Sequence, residues 1–179
     1  GEGVDSWIVA SYSSHAYMTA YKGGSLSAMY GLGYKRAPEG AYIVEKDGSI
    51  TNVSGQIIVD ENGYPQYSDE LQYIGECTPD WKGGFGTSVK WKGLTVSVAF
   101  DGQHGGNVYS YTNAVLGTRG KGSFTLAGRY DGLVLDGVNQ LPDGNFIRNT
   151  HKTADIVEYY GLAYAFQNCE QNFVSTEFL

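Results

Sequence analysis

The run "WKGGFGTSVKWKGLTVSVAFDGQH", Trp81 to His104, decides the fold. Phe85, Thr87, Val89 and Trp91 fall on one parity, with Gly86, Ser88 and Lys90 on the other. After Lys92-Gly93 the alternation resumes, with Leu94, Val96, Val98 and Phe100 set against Thr95, Ser97, Ala99 and Asp101. Side chains alternate across a strand, so both runs read as strands, and the dipeptide between them predicts a tight antiparallel hairpin. One face is apolar. The other is small and polar, and is short of the Lys and Glu that strands facing water usually carry. Two readings fit: a half-buried hairpin in a soluble sandwich, or a piece of barrel wall with small residues toward a lumen and apolar ones toward lipid.

Outward from this hairpin the signals are mostly β. "SLSAMYGLGY", Ser25 to Tyr34, puts Leu26, Ala28, Tyr30, Leu32 and Tyr34 on one parity and predicts a strand loosened by Gly31 and Gly33. Ser6 to Tyr21 alternates weakly and reads as a strand or an extended loop. Asp47-Gly48 and Asn62-Gly63 supply positive φ at hairpin corners, so each is expected to close a short hairpin. Beyond Ser110 the chain reads as irregular, dense in Gly, Asn and Asp. There the run Ala154 to Phe166 is the one helix candidate, with Thr153 or Asp155 near its N-cap. The fold class is therefore all-β, built of antiparallel hairpins with long loops and one short helix near 154–166.

The composition agrees. With 179 residues the chain has room for one domain, and 26 Gly and 15 Tyr against 17% charged residues favour strands and turns over long helices. A net charge of −7 with twelve scattered Lys and Arg argues against nucleic acid as a partner. No apolar run reaches the ~20 residues of a membrane helix, which leaves a β-barrel open. Cys77 and Cys169 match no metal spacing; they are two buried thiols or a disulfide in an oxidising compartment.

Catalytic chemistry finds little support. His15, His104 and His151 stand in Gly-, Ser- or Asn-rich surroundings without a nucleophile motif, and read as exposed loop residues. Asp69 and Glu70 could supply an acid and a base for sugar hydrolysis, but adjacent acids read more simply as a solvated loop. "DENGYPQYSDE", Asp60 to Glu70, departs from the calcium-loop pattern and reads as a turn. Asn52 in "NVS" is a glycosylation acceptor only in a eukaryotic secretory setting. Trp7, Trp81 and the tyrosines could form a stacking platform for sugars, or an interfacial aromatic belt. No catalytic, metal or cofactor residue is assigned, and the substrate-binding residues remain unassigned.

A longer motif adds to this. "DENGYPQYSDELQYIGECTPDWKGGFGTSVKWKGLTVSVAFDGQHGGNVYS" resembles the stretch of SusC/RagA-type TonB-dependent outer-membrane receptors that reads "Y-I-G-x-x-x-P-D-W-x-G-G-F" and continues to "F-D-x-x-x-G-G-x-x-Y-S". The matching positions include Gly63, Pro65, Tyr73, Ile74, Gly75, Pro79, Trp81, Gly83, Gly84, Phe85, Lys92, Phe100, Asp101, Gly105, Gly106, Tyr109 and Ser110. "GGSLSAMYGLGYKR" and "NFVSTEFL" resemble flanking family segments, while Tyr111 to Ile156 matches loosely. The usual Asn-Pro-Asn-Pro after "I-G" is replaced by "ECTP", which places Cys77 in a turn.

The resemblance implies that residues 1–179 are one partial receptor segment from late in a β-barrel, without a plug domain, a TonB box or a complete barrel. Phe85, Val89, Trp91, Leu94, Val96, Val98 and Phe100 would face lipid, and Ser88, Thr95, Ser97 and Ala99 the lumen. Lys92-Gly93 would be a periplasmic turn, and the run after Gly105 an extracellular loop. The parent protein would import glycan or peptide fragments across a Gram-negative outer membrane, with a SusD-like surface lipoprotein as lid and TonB as energy link. The segment alone is expected to be no enzyme and to use no cofactor. Deleting Gly105 to Asn139 is expected to remove contact with the lipoprotein. The alternative is a soluble extracellular β-domain that binds carbohydrate through its aromatics.

Overall fold

The computed structural model describes residues 5–14, 16–166 and 170–178. Strands β1 (Ser6–Ser13), β2 (Ala16–Tyr21) and β3 (Ala28–Tyr34) are followed by the short β4 (Tyr42–Val44) and β5 (Ile50–Asn52). Next come β6 (Tyr67–Glu76), β7 (Trp81–Trp91), β8 (Leu94–His104) and β9 (Asn107–Tyr109). Helix α1 (Tyr111–Thr118), a 3₁₀ turn (Ser123–Leu126), β10 (Val138–Gln140), β11 (Phe146–Arg148), α2 (Ile156–Ala163) and β12 (Phe173–Ser175) complete the order. All strand pairs are antiparallel. Among the described residues no closed barrel forms, and no helix is long and apolar enough to cross a membrane.

The largest sheet has the order β1-β2-β3-β6. Ser6 to Tyr21 is thus neither one strand nor a loop but a hairpin, paired from Ser6↔Tyr21 to Ser13↔Ala16 and bulged at two places, which explains its weak alternation. In β3 the expected sidedness is corrected. Met29, Gly31 and Gly33 form the buried parity, whereas Tyr30 and Leu32 on the other are half-buried; Ala28 and Tyr34 at the strand ends are buried, and Leu26 lies outside the strand and exposed. The register shifts at Met29/Tyr30 and Leu32/Tyr34 place their extra residues on β6. Tyr21, Tyr30 and Tyr73 form an edge-to-face row across the outer side of this sheet. On its inner side Ala16 and Met29 pack with Phe173, Ile74, Cys77 and Tyr109, so the small β9–β12 pair covers that face.

A second core gathers Ala37, Ala41, Ile43, Val53, Ile58, Val138 and Phe146. Both expected corners close as read. Glu45 N–H donates to the Ser49 carbonyl around Asp47-Gly48, and Asp60 N–H to the Tyr64 carbonyl around Asn62-Gly63. The Asp60 carboxylate accepts from the amides of Asn62 and Tyr64, so this acidic stretch spends a carboxylate oxygen on its own turn.

The region expected to be irregular is the main departure. It holds α1, the 3₁₀ turn and the β10–β11 hairpin around Asp143-Gly144, where Leu141 N–H donates to the Asn145 carbonyl. Helix α1 contains Gly117 and β-branched residues, so local propensity does not announce it. It forms because the Ser110 hydroxyl caps it by accepting from Asn113 N–H, and because Gly117 lets the Tyr164 ring lie where a Cβ would sit 2.2 Å from Cγ. Helix α2 falls within the expected 154–166 run, with Asp155 as its N-cap accepting from the amides of Val157 and Glu158.

Candidate functional site

The β7–β8 hairpin is the most distinctive surface of the fold. Its register runs from Trp81↔His104 to Trp91↔Leu94 without a break. The pairs Phe85–Phe100, Thr87–Val98, Val89–Val96 and Trp91–Leu94 share one face; Gly86–Ala99, Ser88–Ser97 and Lys90–Thr95 share the other. On the polar face the Ser97 hydroxyl donates to Ser88 at 3.0 Å. Lys92 at φ 44° and Gly93 at φ 89° make the two-residue turn that matches strand twist, and the Lys92 ammonium sits 5.0 Å from the Trp91 ring centroid.

Every residue from Trp81 to Asp101 is exposed, on both faces. Phe85 is 65% exposed, Trp91 65% and Phe100 67%. A two-stranded ribbon is marginal in water by itself, and here both long edges lack strand partners among the described residues along the projecting part. The arrangement is therefore that of a surface built to be covered. Gly83, Gly84, Trp81, Phe85, Phe100 and Asp101 frame a shallow aromatic hollow near its base.

The base is held by a compact set of contacts. Gly105 and Gly106, at φ 73° and 84°, turn the chain sharply after β8; a Cβ on Gly106 would stand 2.7 Å from the Thr176 hydroxyl. Gln103 and Phe178 exchange backbone hydrogen bonds, and the Gln103 side-chain amide donates to Thr176. His104 Nδ1 lies 2.8 Å from Glu177 Oε1, with Asp80 at 3.7 Å from Nε2. The hydrogen bond to Glu177 chiefly, and then the charges of Glu177 and Asp80, hold the His104 pKa above the ordinary histidine value. His104 is thus not a loop residue, as its sequence context suggests, but the last residue of β8, in a clasp with the C-terminal run.

The other candidates are scattered. His151 is exposed, while His15 and Cys169 lie outside the described residues, and Cys77 is half-buried against the inner face of the large sheet. Asp69 and Glu70 are not in a loop but on β6, both exposed, in the part where its pairing with β3 shifts register between Leu71 and Tyr67. Asn52 closes β5 and accepts from the amide of Ser54. Trp7 sits on β1 and Trp81 at the hairpin base, on separate sheets. Among the described residues no group of three or more His, Cys, Asp or Glu could hold a metal.

A cavity of about 410 Å³ opens between α1, the 3₁₀ turn and α2, with Arg119, Arg129, Thr125, Ile156, Val157 and Tyr160 in its wall. Two helices absent from or faint in the sequence signal build it, so its arginines had no visible neighbours.

No family model matches the chain. It is 27% identical over 101 residues to TonB-dependent receptor P3 of Formosa agariphila, an alignment that takes in 54% of this chain and 10% of that protein. The chain therefore spans about a tenth of its relative's length. The similarity supports a distant relation to TonB-dependent receptors.

Proposed function

We propose that the chain is a β-barrel segment, with one large surface excursion, of a SusC/RagA-type TonB-dependent importer in the outer membrane. The observation that carries this reading is the β7–β8 hairpin, apolar on one face, small and polar on the other, and exposed on both. Eleven residues at about 3.3 Å each, tilted about 40°, rise about 28 Å, close to the ~25 Å apolar band of an outer-membrane barrel. Trp81, Phe85 and Phe100 sit toward one end of the apolar face and Trp91 at the other, with Thr87, Val89, Val96 and Val98 between. Aromatic ends around an aliphatic middle suit the two interfaces and the core of a bilayer.

On this reading lipid covers the apolar face, other barrel strands pair with the open edges, and Ser88, Ser97, Ala99 and Thr95 line the lumen. The parent protein takes up glycan or peptide fragments with a SusD-like lipoprotein as lid and TonB as energy link. The segment supplies wall and loop surface, and carries out no catalysis.

A pair of substitutions in the full receptor tests this. Val96→Lys places a charge on the apolar face near mid-bilayer and costs about 2–4 kcal/mol, so heat-modifiable receptor in the outer-membrane fraction falls sharply; Ser97→Lys, facing the lumen, is tolerated. Equal assembly of both variants, or a chain recovered only in soluble or secreted fractions, would overturn the reading and favour a free-standing carbohydrate-binding domain.

A further inference from the structure

The chain carries a net charge of −7, yet no acid occurs between Asp101 and Asp131. Arg119, Lys121 and Arg129 all fall in that acid-free run, and the two arginines both line the cavity between α1, the 3₁₀ turn and α2. At about 410 Å³ the cavity has the size of a small-ligand pocket. Among the described residues no carboxylate lines it. The nearest acids on α2 are committed elsewhere: Asp155 caps the helix, and Glu158 accepts from the Tyr64 hydroxyl.

The two arginines are set up differently. Arg129 is fixed, with Nη2 donating to the Gly120 carbonyl at 3.1 Å and to the Thr125 hydroxyl at 3.0 Å, which leaves Nη1 and Nε unspent. The Arg119 guanidinium has no hydrogen-bond partner among the described residues. A planar guanidinium with free parallel donors matches a carboxylate through two hydrogen bonds, and a second cation adds charge without a second geometry to satisfy. Facing them, Ile156 and Val157 offer an apolar wall, Val157 being 75% exposed. Tyr160 is buried behind it, its hydroxyl within hydrogen-bond distance of the carbonyls of Phe124 and Ala127, which ties the 3₁₀ turn to α2 and keeps the cavity in shape.

We propose that this cavity binds the carboxylate end of an imported fragment, with Arg129 as the oriented partner, Arg119 as the free one, and the Ile156–Val157 wall against the fragment's body. The inference rests on the importer reading for its biological meaning and names the substrate class as carboxylate-bearing. Two sources share that chemistry: the C-terminus of a short peptide and the uronate of an acidic glycan.

Calorimetric titration of the full chain with four probes tests it: N-acetyl-Val-Leu as free acid and as amide, and digalacturonate as salt and as methyl ester. One free acid is expected to bind at least tenfold more tightly than its capped form, and which acid does so identifies the source. Arg119→Gln and Arg129→Gln are each expected to erase that preference. Arg119→Gln breaks no protein hydrogen bond, so its result decides the matter even if Arg129→Gln disturbs the 3₁₀ turn. Acids that bind no better than their capped forms, or a preference unmoved by Arg119→Gln, would overturn the proposal. Because the titration involves no membrane, its failure is separate from failure of the Val96→Lys test.

Discussion

At the scale of single residues, His104 shows how little of a role a side chain's neighbours in sequence reveal. Flanked by Gln103 and Gly105, it looks like a loop histidine, and it becomes a clasp only because Glu177, far along the chain, returns beside it. The raised pKa gives a signed prediction. A histidine whose folded pKa exceeds its unfolded one stabilises fully below the ordinary value of about 6.5 and loses that contribution as pH climbs through the folded value. The Phe178 amide should therefore exchange faster, beyond the intrinsic rate, as pH rises through the His104 titration, and Glu177→Gln should flatten the effect; amide hydrogen exchange followed by NMR reads both. The arginines of the cavity follow the same logic. Arg119 and Arg129 are visible as charges in the sequence, but the sequence does not announce the fold of α1, whose Gly117 is explained only by the Tyr164 ring resting on it.

At the scale of elements, the sequence was most legible where one local rule sufficed. The β7–β8 hairpin, with a period of two and a Lys-Gly corner, runs in the register its parity implies. The Asp47-Gly48 and Asn62-Gly63 corners likewise needed only positive φ at glycine. Legibility failed where long-range contacts override local pattern: the packing of Phe173 on the Met29 side of β3, which buries the parity that looks less apolar in the sequence, and the β10–β11 hairpin, whose strands are too short to show a period. The turn of the long hairpin gives a prediction at this scale. Nothing lies within 4 Å of a Cβ on Gly93, so Gly93→Ala tests backbone strain alone and should cost about 1–2 kcal/mol. Lys92→Asn, better suited to its φ of 44°, also gives up the Lys92–Trp91 contact, so the two effects should nearly offset. Urea unfolding followed by tryptophan fluorescence would show a lower midpoint for Gly93→Ala and little change for Lys92→Asn.

At the scale of the whole molecule, two bodies of different character share one chain: a projecting ribbon without a core of its own, and a folded mass with two cores. Deleting Gly105 to Asn139, which looks like one loop in the sequence, would take β9 from its partner β12 and β10 from β11, so the loss would be structural. Excision of Gly105 to Thr176 would reach further still. Gln103 and Phe178 exchange hydrogen bonds, so the run between them leaves and re-enters through one doorway. Yet Val138 and Phe146 complete the core of Ala37, Ile43 and Ile58, and Tyr109 and Phe173 cover Ala16 and Met29. Replacing that run by a short Gly-Ser turn in the full receptor should therefore lower heat-modifiable receptor in the outer-membrane fraction together with capture of fragments; unchanged assembly would show that these cores are dispensable there. Cargo head and wall share one interior, so a gene could not trade one head for another at that doorway without recutting the residues beneath it.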